Sequence, residues 1–198
     1  MACALAGDLR VARLIPAKGL LPALALAVVF TTTPLAAQAS AVVIVRHAEK
    51  QAESGDPALT EAGMARAQAL RTTLAEFPLQ GIFVSEYRRT LLTAAPTAEA
   101  FHLTPTSIPI HGDKTAQAAA TAQAIRLMEP GSAALIVGHS NTVGLLIAAL
   151  GGPAVPELCD GENATIFVLE LPDSLPPRLL RASYGTPDPP AALTCHGG

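Results

Sequence analysis

The chain has 198 residues, half of them apolar and 4 % aromatic, which suits one globular domain with a single core and extra pieces at its ends. Its formal net charge is −3 and it carries no basic stripe, which excludes a general nucleic-acid footprint. No group of Cys and His residues has metal-ligand spacing, and no cysteine sits in a basic, strand-end setting, so neither a metal centre nor a cysteine nucleophile is expected.

The N-terminal stretch reads as a targeting segment. Arg10, Arg13 and Lys18 form a basic region, Leu20 to Phe30 is an apolar run broken only by Pro22, and Ala37-Gln38-Ala39 offers a small-x-small cleavage site. This is the layout of a secretory signal peptide covering residues 1–39, with the cut before Ser40. An anchor helix over Gly19 to Ala37 would be just long enough to span, but Pro22, Thr31-Thr32-Thr33 and Pro34 weaken it. The expected product is exported, periplasmic or secreted, with no membrane span. Its 159 residues carry ten basic against fifteen acidic side chains. Export would allow Cys159 and Cys195 to pair, although two unpaired thiols fit the sequence equally well.

A first buried strand is predicted at Ala41 to Val45. Thr60 is a good N-cap and Glu61 suits a positive helix end, so a helix follows, with its stripe at Gly63, Ala67, Leu70, Leu74 and Phe77 and its end at Pro78. A second strand at Gly81 to Val84 leads into a helix from about Tyr87 to Ala100, which Pro96 threatens to kink or split. Ile108 to Ile110 reads as a short strand or extended segment. Asp113 caps a helix from Lys114 to about Met128, stopped by Pro130-Gly131. A strand at Ala134 to Gly138 precedes a helix carrying Val143, Leu146, Ile147 and Leu150. Two last strands, Ala164 to Leu171 and Leu179 to Tyr184, follow with no helix between them. The predicted class is α/β: a three-layer α/β/α domain over residues 40–185, with a mostly parallel central sheet and helices on both faces. Residues 186–198, rich in proline, are expected to form an irregular, loose tail.

The chemistry-bearing residues follow the strands. Arg46-His47 follows the first, Ser85 and the pair Arg88-Arg89 follow the second, and His139 follows the fourth. Ligands of open α/β sheets bind outside the carboxyl ends of the strands, so these side chains are expected to converge on one pocket. Two imidazoles among fixed guanidinium groups suit a phosphoryl group. His102, His111 and His196 lack such a setting and read as ordinary hydrogen-bonded histidines; Arg88 reads as a surface arginine.

Four segments, in order, resemble the histidine phosphatase superfamily with its phosphoglycerate mutase-like fold. Val45-Arg46-His47-Ala48-Glu49 is similar to the Arg-His-Gly signature, with alanine in place of the usual glycine, as in the branch that includes phosphohistidine phosphatases. Leu59-Thr60-Glu61-Ala62-Gly63 resembles the Leu-Thr-x-x-Gly helix start. Ser85-Glu86-Tyr87-Arg88-Arg89 with Thr93-Ala94 resembles the Ser-x-x-x-Arg…Thr-Ala segment, and Val137-Gly138-His139-Ser140-Asn141-Thr142 the second-histidine motif. The resemblance implies a metal-independent phosphatase needing no cofactor, with His47 as nucleophile forming a phosphohistidine. Arg46, Arg89 and a protonated His139 would bind the phosphate, and Asp113 is the first candidate for proton donor, with Glu86 as the other. A phosphoglycerate mutase-type transferase and a non-catalytic binder of phosphorylated ligands share the same fold. The substrate stays open between a phosphorylated small molecule, a lipid-linked sugar phosphate and a phosphoprotein. The residues leave the oligomeric state undetermined.

Overall fold

A computed structural model describes residues 39–52 and 55–190. The signal-like segment up to Gln38 and Cys195 lie outside them. The run Val42-Val43-Ile44-Val45 is β-branched throughout and wholly buried, which is what a central strand covered on both faces requires. It forms strand β1, Ala41–Arg46. Its side chains alternate between two cores: Val42 and Ile44 pack on one side of the sheet, Val43 and Val45 on the other.

The remaining elements are α1 Glu61–Thr73, β2 Leu79–Val84, α2 Arg88–Phe101, β3 Thr106–Ser107, α3 Lys114–Arg126, β4 Ala133–Gly138, α4 Ser140–Ala149, β5 Thr165–Glu170 and β6 Arg178–Ser183. The six strands lie in the order β3-β2-β4-β1-β5-β6. The first four of these are mutually parallel, while β5 runs antiparallel to β1 and forms a hairpin with β6. Helices α1 and α2 bury Leu70, Ala94 and Ala98 against one face, and α3 and α4 bury Ala118, Ile125, Leu146 and Ile147 against the other. The three-layer α/β/α arrangement predicted from the alternation of strand and helix is therefore present.

The caps explain where the helices begin. Thr60 Oγ1 accepts the Gly63 amide at 3.0 Å, and Asp113 Oδ1 accepts the amides of Thr115 and Ala116 at 3.0 and 2.9 Å. Pro96 does not split α2, which runs unbroken through it.

Two expectations need correction. The short third strand is Thr106–Ser107 rather than Ile108 to Ile110. Ile108 still donates to the Val84 carbonyl at 2.8 Å, but Pro109 has no amide hydrogen with which to carry a ladder further. Beside the boundary expected before Ser40, Ala39 is buried in the α3/α4 core, and Ser40 donates to the Ser132 carbonyl and accepts from Leu171. Finally, residues 186–190 follow an irregular path but are not loose. The Asp188 carboxylate, with 7 % of its side chain exposed, accepts the amides of Asn163 and Ala164 and lies 3.4 Å from Arg66 Nη2.

Candidate active site

Register brings the chemistry together. β1, β4 and β2 are parallel neighbours, with Val45 opposite Val137 and Val137 opposite Val84. The residues just beyond, His47, His139 and Ser85, therefore emerge at the same carboxyl edge. The His47 amide extends the ladder by donating to the Gly138 carbonyl at 2.9 Å. A cleft of about 390 Å³ opens there, lined by Arg46, His47, Tyr87, Arg89 and His139 together with Lys50, Lys114, Asn141 and Asp160.

The two imidazoles stand edge to face with ring centres 5.3 Å apart. His47 Nδ1 lies 2.8 Å from the Ala48 carbonyl oxygen. A carbonyl only accepts, so Nδ1 carries the proton and Nε2 keeps its lone pair. Burial lowers the His47 pKa to about 4, with the charges of Arg46, Arg89 and Lys50 adding to the effect against the opposing Ala48 hydrogen bond. The ring is thus neutral throughout the physiological range, with its lone pair on Nε2. The loop it begins is held from two sides: the Ala48 amide donates to Thr93 Oγ1 at 2.9 Å, and Glu49 receives a bidentate pair of hydrogen bonds from Arg66. Burial pushes the Glu49 carboxyl upward, but the Arg66 guanidinium more than offsets this and leaves it below the usual range. Gly63 permits the contact, because a Cβ there would lie 2.3 Å from the Glu49 carbonyl oxygen.

His139 precedes α4, and its amide donates to Thr142 Oγ1 at 2.8 Å. Its Nε2 is 2.9 Å from Ser85 Oγ, and the Tyr87 ring meets it edge-on at 5.4 Å. The protonated His139 that the resemblance implies is the form that faces a phosphoryl group. Burial, helped by the charges of Arg89 and Arg46, lowers its pKa to about 3, so it is neutral at neutral pH. Only a dianion set beside it would raise that value.

The two arginines are held differently. Arg46 Nη1 donates to the carbonyls of Cys159 and Asp160, at 2.7 and 2.5 Å. Arg89 lies over the Tyr87 ring with Cζ 4.1 Å from its centre, and its Nη1 is 3.9 Å from Asp56 Oδ1. Its buried Nε has no hydrogen-bond partner among the described residues. Arg88 is exposed and does not line the cleft.

Asp113 is not brought to the site. Gly112 and Lys114 line the cleft, but the carboxylate between them is exposed and holds the first amides of α3. Glu86 is likewise exposed and accepts the Ile110 amide at 3.0 Å. The sequence analysis missed Tyr87 as the shelf under Arg89, and Ser85 as the partner of His139, although both stand inside the segment that pointed to Arg89. It also missed the backbone of Cys159 and Asp160, which nothing local could signal. Cys159 is disulfide-bonded.

Comparison with known proteins agrees with this geometry. The chain resembles the solved structure of "Mycobacterial hydrolase 2" with a TM-score of 0.57 at 19 % identity, covering 76 % of this chain and 94 % of that one. For mycobacterial glucosyl-3-phosphoglycerate phosphatase the TM-score is 0.54 at 18 % identity, covering 71 % and 96 %. For the protein histidine phosphatase SixA complexed with tungstate it is 0.53 at 20 % identity, covering 72 % and 96 %. These likenesses establish the fold. A search of curated proteins finds no match. The family model of the histidine phosphatase superfamily (branch 1) matches residues 42–111, the stretch holding Arg46, His47 and Arg89.

Proposed function

We propose that the protein is an exported, metal-independent phosphatase that hydrolyses phosphomonoesters through a phosphohistidine on His47. The observation that carries this reading is the fixed tautomer of His47: a neutral Nε2 among Arg46, Arg89 and His139. Nε2 attacks phosphorus in line, forming the N–P bond as the ester P–O bond breaks. Arg46 and Arg89 neutralise the charge on the non-bridging oxygens. His139 takes a proton as the dianion raises its pKa, completing the clamp. The departing oxygen takes its proton from water, and the hydroxide so formed attacks the phosphohistidine, breaking the N–P bond to give phosphate and free His47. The family relationship and the phosphatases among the structural relatives support a hydrolase over a transferase.

The test is trapping. Wild-type protein mixed with labelled substrate and quenched should carry acid-labile, base-stable phosphate, and activity should persist in chelator. His47→Ala should lose roughly 10⁴-fold or more in kcat/KM and trap no label. Equal label on the variant would assign a different nucleophile, and loss of activity in chelator, restored by one divalent ion, would overturn the metal-free mechanism.

A further inference from the structure

Beside the phosphate cleft, and sharing Lys114, Ser140 and Asn141 with it, lies a second trough of about 420 Å³. The two differ in character. The first is walled by guanidinium, imidazole and ammonium groups. The second runs over Gly144, Leu145 and Ala148 on the outer side of α4, facing Ala154 and Val155 of the loop that follows. Leu145 is among the few large apolar side chains this domain exposes.

The trough is built rather than incidental. A Cβ on residue 144 would sit 2.3 Å from the Val155 carbonyl oxygen, so only glycine lets the loop rest its backbone on the helix. The Leu158 amide, donating to the Ser140 carbonyl at 3.2 Å, pins the loop at the phosphate end. From Asn141 to Ala148 the helix advances about 10 Å at its usual rise. The trough holds one cation, Lys114, which the phosphate cleft already uses, and one acid, Glu157, and so offers nothing net to an anionic tail.

We infer that the organic group of the substrate is apolar and lies along this trough, so that the enzyme prefers phosphomonoesters of alkyl or acyl character over small polar ones. This rests on the proposed phosphatase reading and adds the substrate class. Continuity settles the occupant: an ester whose phosphorus faces His47 must project its carbon chain out of the cleft, and the apolar exit begins at Ser140 and Asn141.

The test is a series of straight-chain alkyl phosphates, from methyl to octyl, on wild type, Leu145→Asn and Ala148→Glu. In the wild type kcat/KM should rise about two- to three-fold per methylene, below the roughly four-fold of complete burial. In both variants the rise should flatten while methyl phosphate is turned over within two-fold of wild type. A flat wild-type series, with methyl phosphate still hydrolysed, would overturn the trough assignment and leave the phosphatase reading standing. Turnover of none of the esters would remove both. A slope unchanged in the two variants would place the chain elsewhere. A wild-type dimer in sedimentation that Ala148→Glu dissolves would give the trough to a second copy.

Discussion

The cleft has two walls, and they are made in different ways. One is built on the carboxyl ends of three parallel strands, where His47, Ser85 and His139 stand in register because the ladder sets them there. The other is the loop from about residue 153 to 164, with no helix or strand of its own, which reaches Arg46 through two backbone carbonyls. That loop is fixed from outside. Glu162 accepts from Thr165 and from Arg181 of β6, and Asp188 accepts from Asn163 and Ala164. The strand-end wall holds its groups by the fold itself. The loop wall holds its arginine by side chains brought from β6 and the tail. Damage to the first should therefore show in chemistry, and damage to the second in stability first.

The largest effect expected beyond the nucleophile belongs to Arg89. Arg89→Ala removes a cation that lines the cleft over Tyr87 and, on the proposed function, should cost roughly 10²–10³-fold in kcat/KM, with the unfolding midpoint nearly unchanged. A large fall in melting temperature instead would make Arg89 a structural residue and erase the contrast. Asp188→Ala should behave oppositely. It strips the acceptor from two backbone amides and a partner from Arg66, so about 2–4 kcal/mol of stability should go in urea unfolding. Where the variant is folded, kcat/KM should fall less than ten-fold.

The pH dependence of stability tests the strand-end wall again. The folded-state pKa values of about 4 for His47 and about 3 for His139 lie below the ordinary 6.5. Between these values and 6.5 the unfolded chain binds more protons, so stability falls as pH drops through that window and neither ring contributes above it. The loss should be about 2 kcal/mol for each histidine between pH 7 and pH 5. His47→Gln should remove about half of this slope, and a slope unchanged by the variant would mean that these rings are not the cause. The smallest effect is expected at Asp113. Asp113→Ala should cost about 1 kcal/mol through the lost cap of α3 and leave kcat within two-fold. A hundred-fold loss of kcat would restore it as the proton donor.

The same contrast governs what could be read from the residues alone. The strand-end wall was legible because continuous apolar runs mark buried parallel strands, and whatever follows such a run lands at one edge. That β5 and β6 are consecutive strands was legible because nothing helical separates the two runs. Asp113 shows the limit of reading by order: its place before α3 suited a cap and an acid equally, and only geometry separated the two roles. The carbonyls of Cys159 and Asp160 bind Arg46 across more than a hundred residues of chain, and a backbone acceptor has no residue type by which to be recognised.

The reach of Asp188 has a consequence for how the molecule is made. Synthesis supplies β1 first, then the residues of the strand-end wall, and the whole sheet is complete at Ser183. Asp188, five residues later, is what locks Asn163 and Ala164 and ties them to the Arg66–Glu49 pair behind His47. A nascent chain that has emerged only as far as β6 therefore owns the groups of the strand-end wall but not the clasp that sets the facing wall. The facing wall is therefore secured last, and a chain ending at Ser183 should be less stable than one that includes Asp188 while keeping the groups of the strand-end wall.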